Sequence, residues 1–451
     1  MGTTEQLAKF ILETRKEGIP EAVLHEGKRC FINYLAVALY ASRDASLDIL
    51  LGVFGDEGGK ERASVVGTNT HTSLQNAALA NGYLGHLEDY DDTHFPTVIH
   101  PSSPTLPAAL AVGEQLGVSG YEALVASVLG MEVCCRIGVA IHPYHYDEGW
   151  HITGTCGVFG AVASAGRLMG LDLDSLVHAL GVAGTQASGV REVFGSMTKP
   201  FHPGRAAQSG VLAALLAQRG FTSTKTIIEG RRGFAAVLSA ESDLEKATDG
   251  LGEKWELQMN GLKPYACGVV NHPLIDAMIA MRSKDGVVAG AVDSISAIVH
   301  PLVLELVNRQ HPEIGLEGKF SFHHSMAVGL IDGGAFPLQY TDSKVNDPVI
   351  KSLRDRITAI ADESLEEDQA IVTVNLRDGR SYTERIEHAT GAPQNPMSDT
   401  YLEDKFRNLT DDVLSKEQRE TLLDRLWHME TVNDLGEILG LTRVSQRQSR
   451  D

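Results

Sequence analysis

The sequence predicts a mostly α-helical protein in which a smaller α+β domain is inserted into a large helical domain. Apolar residues recur at helical spacing through roughly the first 260 residues, and strand-like alternation appears only later, at 292–299 and 369–376. The helical pattern returns after Pro396. A chain of 451 residues also exceeds one ordinary core. We therefore assign residues 1–264 and 397–451 to the helical domain and 265–396 to the α+β domain.

Helix signals support the first assignment. Leu7, Phe10 and Ile11 show the i, i+3, i+4 spacing of a helix face. Ser119 and Glu122 have the spacing of a capping box before a long apolar run. Ser415 and Gln418 repeat this signal near the end of the chain, as expected if the helical domain resumes there.

A glycine-rich stretch indicates close helix packing. Gly154, Gly157 and Gly160 recur every third residue among alanines. The spacing is not G-x-G-x-x-G and no strand precedes it, so a dinucleotide site is not indicated.

The α+β assignment rests on a predicted hairpin. Ala370, Val372, Val374 and Leu376 alternate with more polar residues, and the segment 377–380 supplies an Asp-Gly turn before a second strand-like run.

Charge and composition exclude several classes of protein. The chain has 39 basic and 59 acidic residues and a net charge of −20, which argues against binding to nucleic acid or an anionic membrane. The apolar fraction of 43% suffices for a core. We find neither a signal-peptide pattern nor an uninterrupted apolar run of membrane-spanning length. We expect a cytoplasmic protein, with a mitochondrial location left open.

The cysteines do not form a metal framework. None of the five is part of a C-x-x-C pair, so the usual thiolate sets for zinc or an iron–sulfur cluster are absent.

Segment 81–107 is rich in acid–base groups. The carboxylates of Asp89, Asp91 and Asp92 cannot share one helix face, so we expect a loop or a helix end. With His94 or His100 they could form an acid–base site or a divalent metal site. A solvated loop with a helix cap is the structural alternative.

Four further segments carry histidines or basic groups. His151 precedes the small-residue helix, whose N-terminus would lower the pKa of its imidazole. Lys199 and Arg205 form the densest local positive charge, with Arg205 expected to start a helix after a glycine, and they suit a carboxylate ligand. His272 and the pair His323–His324 lie near the predicted domain junction, where ligand clefts tend to form. Each residue could instead be structural.

Five segments together resemble the MmgE/PrpD family, whose members include 2-methylcitrate dehydratase, cis-aconitate decarboxylase and iminodisuccinate epimerase. The segments are NGYLGHLEDYDDTH…HPSSPTLPAALAVGE, GWHITGTCGVFGAVASAGRLMGL, GSMTKPFHPGRAAQSGVLAALLAQRGFT, KPYACGVVNHPLIDAMI and KFSFHHSMAVGLIDG. The resemblance implies a helical domain with an α+β lid, a homodimer, and chemistry without a metal or an organic cofactor.

The resemblance also implies functional positions. Those that match the family motifs are Asp89, Thr93, His100, His151, Lys199 and His272. His324 departs from the pattern, because decarboxylase members carry a tyrosine there. Compared with decarboxylase members, this chain also has one extra residue between Thr93 and His100.

We assign hypothetical roles on this basis. His100 and His151 are the base and the acid in undecided order, and Lys199, helped by His272, stabilises negative charge that develops on the substrate. Asp89 orients an imidazole. The remaining substrate contacts are Thr93, His324 and Arg205.

The first functional prediction is a cofactor-independent lyase that dehydrates a 2-methylcitrate-like substrate by removing a proton next to a carboxylate. Decarboxylation of the cis-aconitate type and epimerisation of the iminodisuccinate type are the alternatives. Two further alternatives have less support. One is a metal-dependent enzyme that uses the EDYDD carboxylates, and the other is a non-catalytic binding protein. The expected partner is a small polycarboxylate, held in a confined basic cleft.

Overall fold

The computed structural model describes residues 1–444. Within them the α-helices are α1 (Thr3–Glu13), α2 (Glu21–Ala41), α3 (Ala45–Glu57), α4 (Leu74–Leu87), α5 (Ser102–Leu116), α6 (Gly120–Ile141), α7 (Tyr144–Asp147), α8 (Ile152–Leu168), α9 (Leu173–Gly184), α10 (Thr198–Ala217), α11 (Phe234–Leu238), α12 (His272–Lys284), α13 (Pro301–Leu306), α14 (Gly315–Gly318), α15 (Phe322–Asp332), α16 (Asp342–Val345), α17 (Pro348–Arg354), α18 (Asp399–Thr410), α19 (Lys416–Trp427) and α20 (Leu435–Leu441). The strands are β1 (Ala63–Ser64), β2 (His71–Thr72), β3 (Asp92–His94), β4 (Asn260–Leu262), β5 (Val292–Val299), β6 (Ile357–Ala361), β7 (Ala370–Leu376) and β8 (Ser381–Ile386). Short 3₁₀ turns include Val269–Asn271.

Four helices, α4, α5, α8 and α10, form the centre of the helical part. A Cβ on Gly82 of α4 would lie 2.6 Å from the Cα of Gly204 on α10, so only glycine allows these backbones to approach so closely. A Cβ on Gly157 of α8 would likewise lie 2.6 Å from the Cβ of Pro104 on α5. The predicted packing role of the small-residue helix is therefore confirmed.

Helix α6 is long and apolar enough to cross a membrane, yet 94% of its most apolar window is buried inside the protein. Its charged pair is internal, since Arg136 Nε donates to Glu132 Oε1 at 2.6 Å. These features are those of a core helix.

The main sheet has the order β6-β5-β7-β8, with β5 and β6 parallel and the other neighbours antiparallel. The predicted β7–β8 hairpin is present, and Gly379 in its turn has φ +89°. Strand β6 was not predicted, because it is a short strand with little burial and weak alternation.

Helices α12 and α15 pack together next to this sheet, and α18 packs on α2. The mostly helical prediction is confirmed, whereas the lid arrangement and the domain bounds stay predictions.

The expected helix start at Arg205 is wrong. Helix α10 begins at Thr198, so Arg205 lies inside it and is exposed. Gly204 marked a close approach to α4 and not a helix boundary.

Candidate active site

A partly enclosed cavity lies where α4, α8 and α10 approach the turn before α12 and the end of α13. Its atom-free space, including the mouth, is about 510 Å³. The lining residues are Asp89, Thr93, Val98, His100, Tyr146, His151, Phe194, Lys199, Lys263, Gly268, Val269, Val270, Leu306, Val307 and Phe320.

Two ammonium groups hold the carboxylate of Asp89. Lys199 Nζ lies 3.0 Å from Asp89 Oδ2, and Lys263 Nζ lies 2.6 Å from Oδ1. Burial alone would raise the pKa of Asp89, but the two lysines hold it well below its usual range. The aspartate follows the end of α4 at φ +50°, a left-handed conformation that Asp tolerates better than most residues. It is thus an ionised carboxylate at a helix end, as the sequence predicted for this segment.

Lys263 is brought to the site by a long-range strand pairing. β3 pairs with β4 in a register that sets Asp92 opposite Leu262, so the next residue, Lys263, lies beside Asp89. A third buried lysine, Lys405 of α18, donates to the carbonyl oxygens of Tyr90 and Lys263 at 2.8 and 2.7 Å. Helix α18 therefore holds the backbone next to Asp89 and at Lys263.

Lys319 approaches the same loop from the α+β part of the chain. Its ammonium donates to the carbonyl oxygen of Glu88 at 2.5 Å and to Glu88 Oε2 at 2.8 Å. The backbone that carries Asp89 is held from both parts of the molecule.

The carboxylate paired with imidazoles is Asp91, and the prediction that Asp89 orients an imidazole is corrected accordingly. His86 Nδ1 lies 2.8 Å from Asp91 Oδ2, and His100 Nδ1 lies 3.6 Å from Oδ1. The hydroxyl of Ser103 also donates to Oδ2 at 2.6 Å. Both oxygens of Asp89 instead lie against lysines, so it acts on the His86 imidazole through its charge and not through a hydrogen bond.

His100 presents one nitrogen to the cavity. Its Nδ1 lies 2.7 Å from the carbonyl oxygen of Asp92, and a carbonyl only accepts, so Nδ1 carries the proton. Burial, then the positive charge of Lys263, sets the pKa of His100 well below its usual value. The neutral ring thus keeps Nε2 as a lone-pair base.

His151 occupies the N-cap position of α8, and its ring is hydrogen-bonded to a second histidine. Its Nδ1 lies 2.9 Å from His202 Nδ1, so one nitrogen donates and the other accepts. Burial is the main cause that lowers the pKa of His151 well below its usual value, with His86 and Lys199 next. The predicted direction is confirmed, while the cause differs from the helix N-terminus that we expected.

The cavity brings together five of the eight predicted site residues. These are Asp89, Thr93, His100, His151 and Lys199.

The other three predicted site residues lie outside the lining of the cavity. His272 is buried just behind the 269–271 turn, and burial lowers its pKa to about 3. His324 Nε2 bonds the carbonyl oxygen of Gln339 at 2.7 Å, and Arg205 bonds Gln208 on the surface.

The sequence did not indicate Lys263 or His86 as parts of the site, and it did not distinguish Asp91 from the neighbouring carboxylates. All three lie in the segments that contain the predicted site residues. The residues next to Lys263 in the sequence do not distinguish it from a surface lysine. The signal that could have found it is its place at the end of β4, opposite the acidic segment.

Four buried groups could also approach a metal ion. Ligand atoms of His86, Asp89, Asp91 and His100 all lie within 4.8 Å of one another. A divalent cation there would face the ammonium groups of Lys199 and Lys263, which already neutralise Asp89. His94 does not belong to the cluster, because its two nitrogens lie against Thr97 and Glu256.

Family models match both parts of the chain. The MmgE/PrpD N-terminal domain matches residues 5–247, and the MmgE/PrpD C-terminal domain matches residues 265–429. The chain belongs to the MmgE/PrpD family.

Several relatives are cis-aconitate decarboxylases. The enzyme from Aspergillus terreus is 26% identical over 98% of this chain and 96% of its own length. The human enzyme is 28% identical over 79% of this chain and 77% of its own length. A cis-aconitate decarboxylase-like protein of Aspergillus oryzae is 25% identical over 97% of this chain.

Proposed function

We propose that this protein is a carboxy-lyase that removes carbon dioxide from a small unsaturated di- or tricarboxylate, as in the cis-aconitate type of reaction. The observation that carries the proposal is the pair of ammonium groups beside two neutral imidazoles in one cavity. The similarity to cis-aconitate decarboxylases, which covers 98% of this chain for the Aspergillus terreus enzyme, supports decarboxylation over the dehydration that the sequence first suggested.

The lysines address the electrostatic problem of the reaction. When the C–C bond to the departing carboxylate breaks, its electron pair stays on carbon and spreads through the neighbouring double bond towards a remaining carboxylate. Lys199 and Lys263 are fixed before the reaction and can stabilise that negative charge without reorganising. Asp89 keeps the two ammonium groups together.

The imidazoles handle the proton. His151 can give its Nε2 proton to the carbanion while its Nδ1 takes the shared proton from His202 Nδ1, and His202 then regains a proton from solvent. His100 can accept a proton or a hydrogen bond at Nε2. The hydroxyl of Thr93 lies on the other side of this ring, 3.2 Å from Nδ1.

A panel assay tests the proposal. Cis-aconitate, citrate, 2-methylcitrate and iminodisuccinate are followed by NMR for loss of carbon dioxide, loss of water or inversion. We expect carbon dioxide from an unsaturated acid, and no product from Lys199→Met that is folded by circular dichroism. Water loss alone would favour the dehydratase alternative, and turnover by Lys199→Met at the wild-type rate would refute the assigned site.

The four-ligand cluster favours one second candidate, a metal-dependent lyase. Elemental analysis of active protein separates the two. A stoichiometric metal whose removal by a chelator abolishes turnover would establish the second candidate, and full activity after chelation would reject it.

The expected homodimer and cytoplasmic location remain proposals. Gel filtration with light scattering and cell fractionation test them directly.

A further inference from the structure

Tyr146 of α7 is a tyrosine on the cavity wall whose hydroxyl group the fold does not use. The residue lines the cavity and is only 6% exposed. Among the described residues its hydroxyl has no hydrogen-bond partner, yet it is not one of the side-chain oxygens that the protein encloses without a partner. The oxygen is therefore accessible, and the space that Tyr146 lines is the cavity. This leaves the hydroxyl available to a ligand.

The environment of this phenol makes it a hydrogen-bond donor. Burial is the main cause that raises the pKa of Tyr146 above its usual value, and the guanidinium of Arg191 opposes this only in part. The hydroxyl therefore keeps its proton at neutral pH. A neutral O–H can donate to a carboxylate oxygen, and hydrogen bonds to a charged acceptor are stronger than those between neutral groups.

Arg191 holds the Tyr146 ring in place. Its guanidinium carbon lies 4.1 Å from the ring centroid, and its Nη1 donates to the carbonyl oxygen of Tyr146 at 2.9 Å. One side chain thus contacts both the ring and the backbone of the tyrosine, so the phenol is oriented before a ligand binds.

Arg191 also connects two walls of the cavity without lining it. Its Nη2 lies 2.5 Å from Oε1 of Glu305, the residue before Leu306, which belongs to the lining. Its backbone N–H donates to the carbonyl oxygen of Gly149 at 2.8 Å, two residues before the lining residue His151. Since both Nη atoms are engaged and Arg191 is outside the lining, it can position a group that binds the ligand, but it is not such a group itself.

We propose that Tyr146 is a specificity-determining residue that donates a hydrogen bond from its hydroxyl to a carboxylate of the substrate, and that Arg191 positions its ring. This inference rests on the proposed function, since it assumes that the ligand of the cavity is the carboxylate substrate of the lyase. It adds a neutral donor to the two ammonium groups that Lys199 and Lys263 present.

The variant Tyr146→Phe tests the hydroxyl, because it keeps the ring and removes one oxygen atom. Calorimetry with tricarballylate, a saturated tricarboxylate, measures binding independently of turnover. We expect about tenfold weaker binding, the effect of losing a hydrogen bond to a charged group. With the substrate from the panel assay, KM should rise by about the same factor and kcat should stay within about threefold, because the bond serves binding and not the chemical step.

Tyr83→Phe is the matched control. Tyr83 is also a buried tyrosine, but it lies outside the cavity lining and its hydroxyl donates to Ser46 Oγ at 2.7 Å. The control should keep the wild-type affinity for tricarballylate and the wild-type KM.

A double-mutant cycle tests the positioning role of Arg191. Arg191→Met should weaken tricarballylate binding about fivefold in the wild-type protein, because the phenol is no longer oriented. It should cause no further loss in Tyr146→Phe, where there is no hydroxyl to orient. A general effect on the fold or on the charge of the cavity would instead weaken binding equally in both proteins.

Each outcome has one meaning. Unchanged tricarballylate binding by Tyr146→Phe overturns the inference, and so does a loss confined to kcat, which would assign the hydroxyl to proton transfer. A large fall in Tm for Tyr146→Phe also overturns it, because the hydroxyl would then serve the fold. Equal effects of Arg191→Met in both proteins overturn the positioning role.

The proposed function fails separately. Weaker binding by Tyr146→Phe, without release of carbon dioxide from any unsaturated acid by the wild type, supports the donor role and contradicts the proposed function alone. No binding of tricarballylate and no turnover by the wild type contradict both.

Discussion

Two groups of histidines in this protein look alike in sequence but differ in what surrounds them. His86, His100 and His151 in the helical part have buried rings that are 4.6 to 5.7 Å apart, beside Lys199 and Lys263. His323 and His324 in the α+β part are also buried, and burial lowers the pKa of both to about 4. Only the first group includes rings that line the cavity. Burial and a lowered pKa therefore do not separate the two groups, whereas a position on the cavity beside fixed ammonium groups does.

Removal of an ammonium group beside His86, His100 and His151 should have the largest effect on activity. Lys263→Met should lower kcat by about 1000-fold, because loss of a fixed group that stabilises developing charge has effects of that order. The steady-state rate with the substrate identified by the panel assay is the measurement.

Lys225→Met is the control, since this lysine is on the surface with its side chain 62% exposed. It should keep the wild-type rate. A Lys263→Met enzyme within tenfold of wild type would contradict the electrostatic role.

Matched substitutions compare the two histidine groups directly. His151→Gln should lower kcat by about 100-fold, because the glutamine amide cannot give a proton to the carbanion. His324→Gln should stay within about threefold, because its amide can still donate to the carbonyl oxygen of Gln339 and its position lies outside the cavity lining. Equal losses in the two variants would erase the distinction that we draw.

His324 should instead affect stability in acid. Burial lowers its pKa from 6.5 to about 4 in the folded protein, so the unfolded chain binds more protons between these values. Between pH 6.5 and about 4, this group should lower the free energy of unfolding by about 1.4 kcal/mol for each pH unit of acidification.

Urea denaturation of wild type and His324→Gln from pH 7.5 to 4.5 measures that contribution. The variant should lose stability less steeply below pH 6.5, and the difference between the two proteins should be constant above pH 7. Parallel curves across the whole range would show that His324 does not titrate in this way.

The smallest effect is expected at Arg205. Its guanidinium is exposed and bonds Gln208 on its own helix, so Arg205→Gln should change kcat/KM by less than about twofold. A tenfold rise in KM would restore Arg205 as a substrate contact.

The sequence alone determined the helical character, the β7–β8 hairpin and the helix end at the acidic segment. Each of these depends on neighbours in the chain: periodicity, an Asp-Gly turn, and carboxylates that cannot share a helix face. Family motifs also placed Asp89, Thr93, His100, His151 and Lys199, which line one cavity.

Only the tertiary structure decided how these groups are paired. Lys263 meets Asp89 because β3 and β4 pair across more than 160 residues of chain, and no local pattern specifies that register. Asp91 rather than Asp89 holds the imidazoles because both oxygens of Asp89 are held by lysines. Val98 joins the cavity through a backbone conformation that its residue type disfavours. Charge pairing and packing act through space between distant segments, and so they are fixed only when the chain folds.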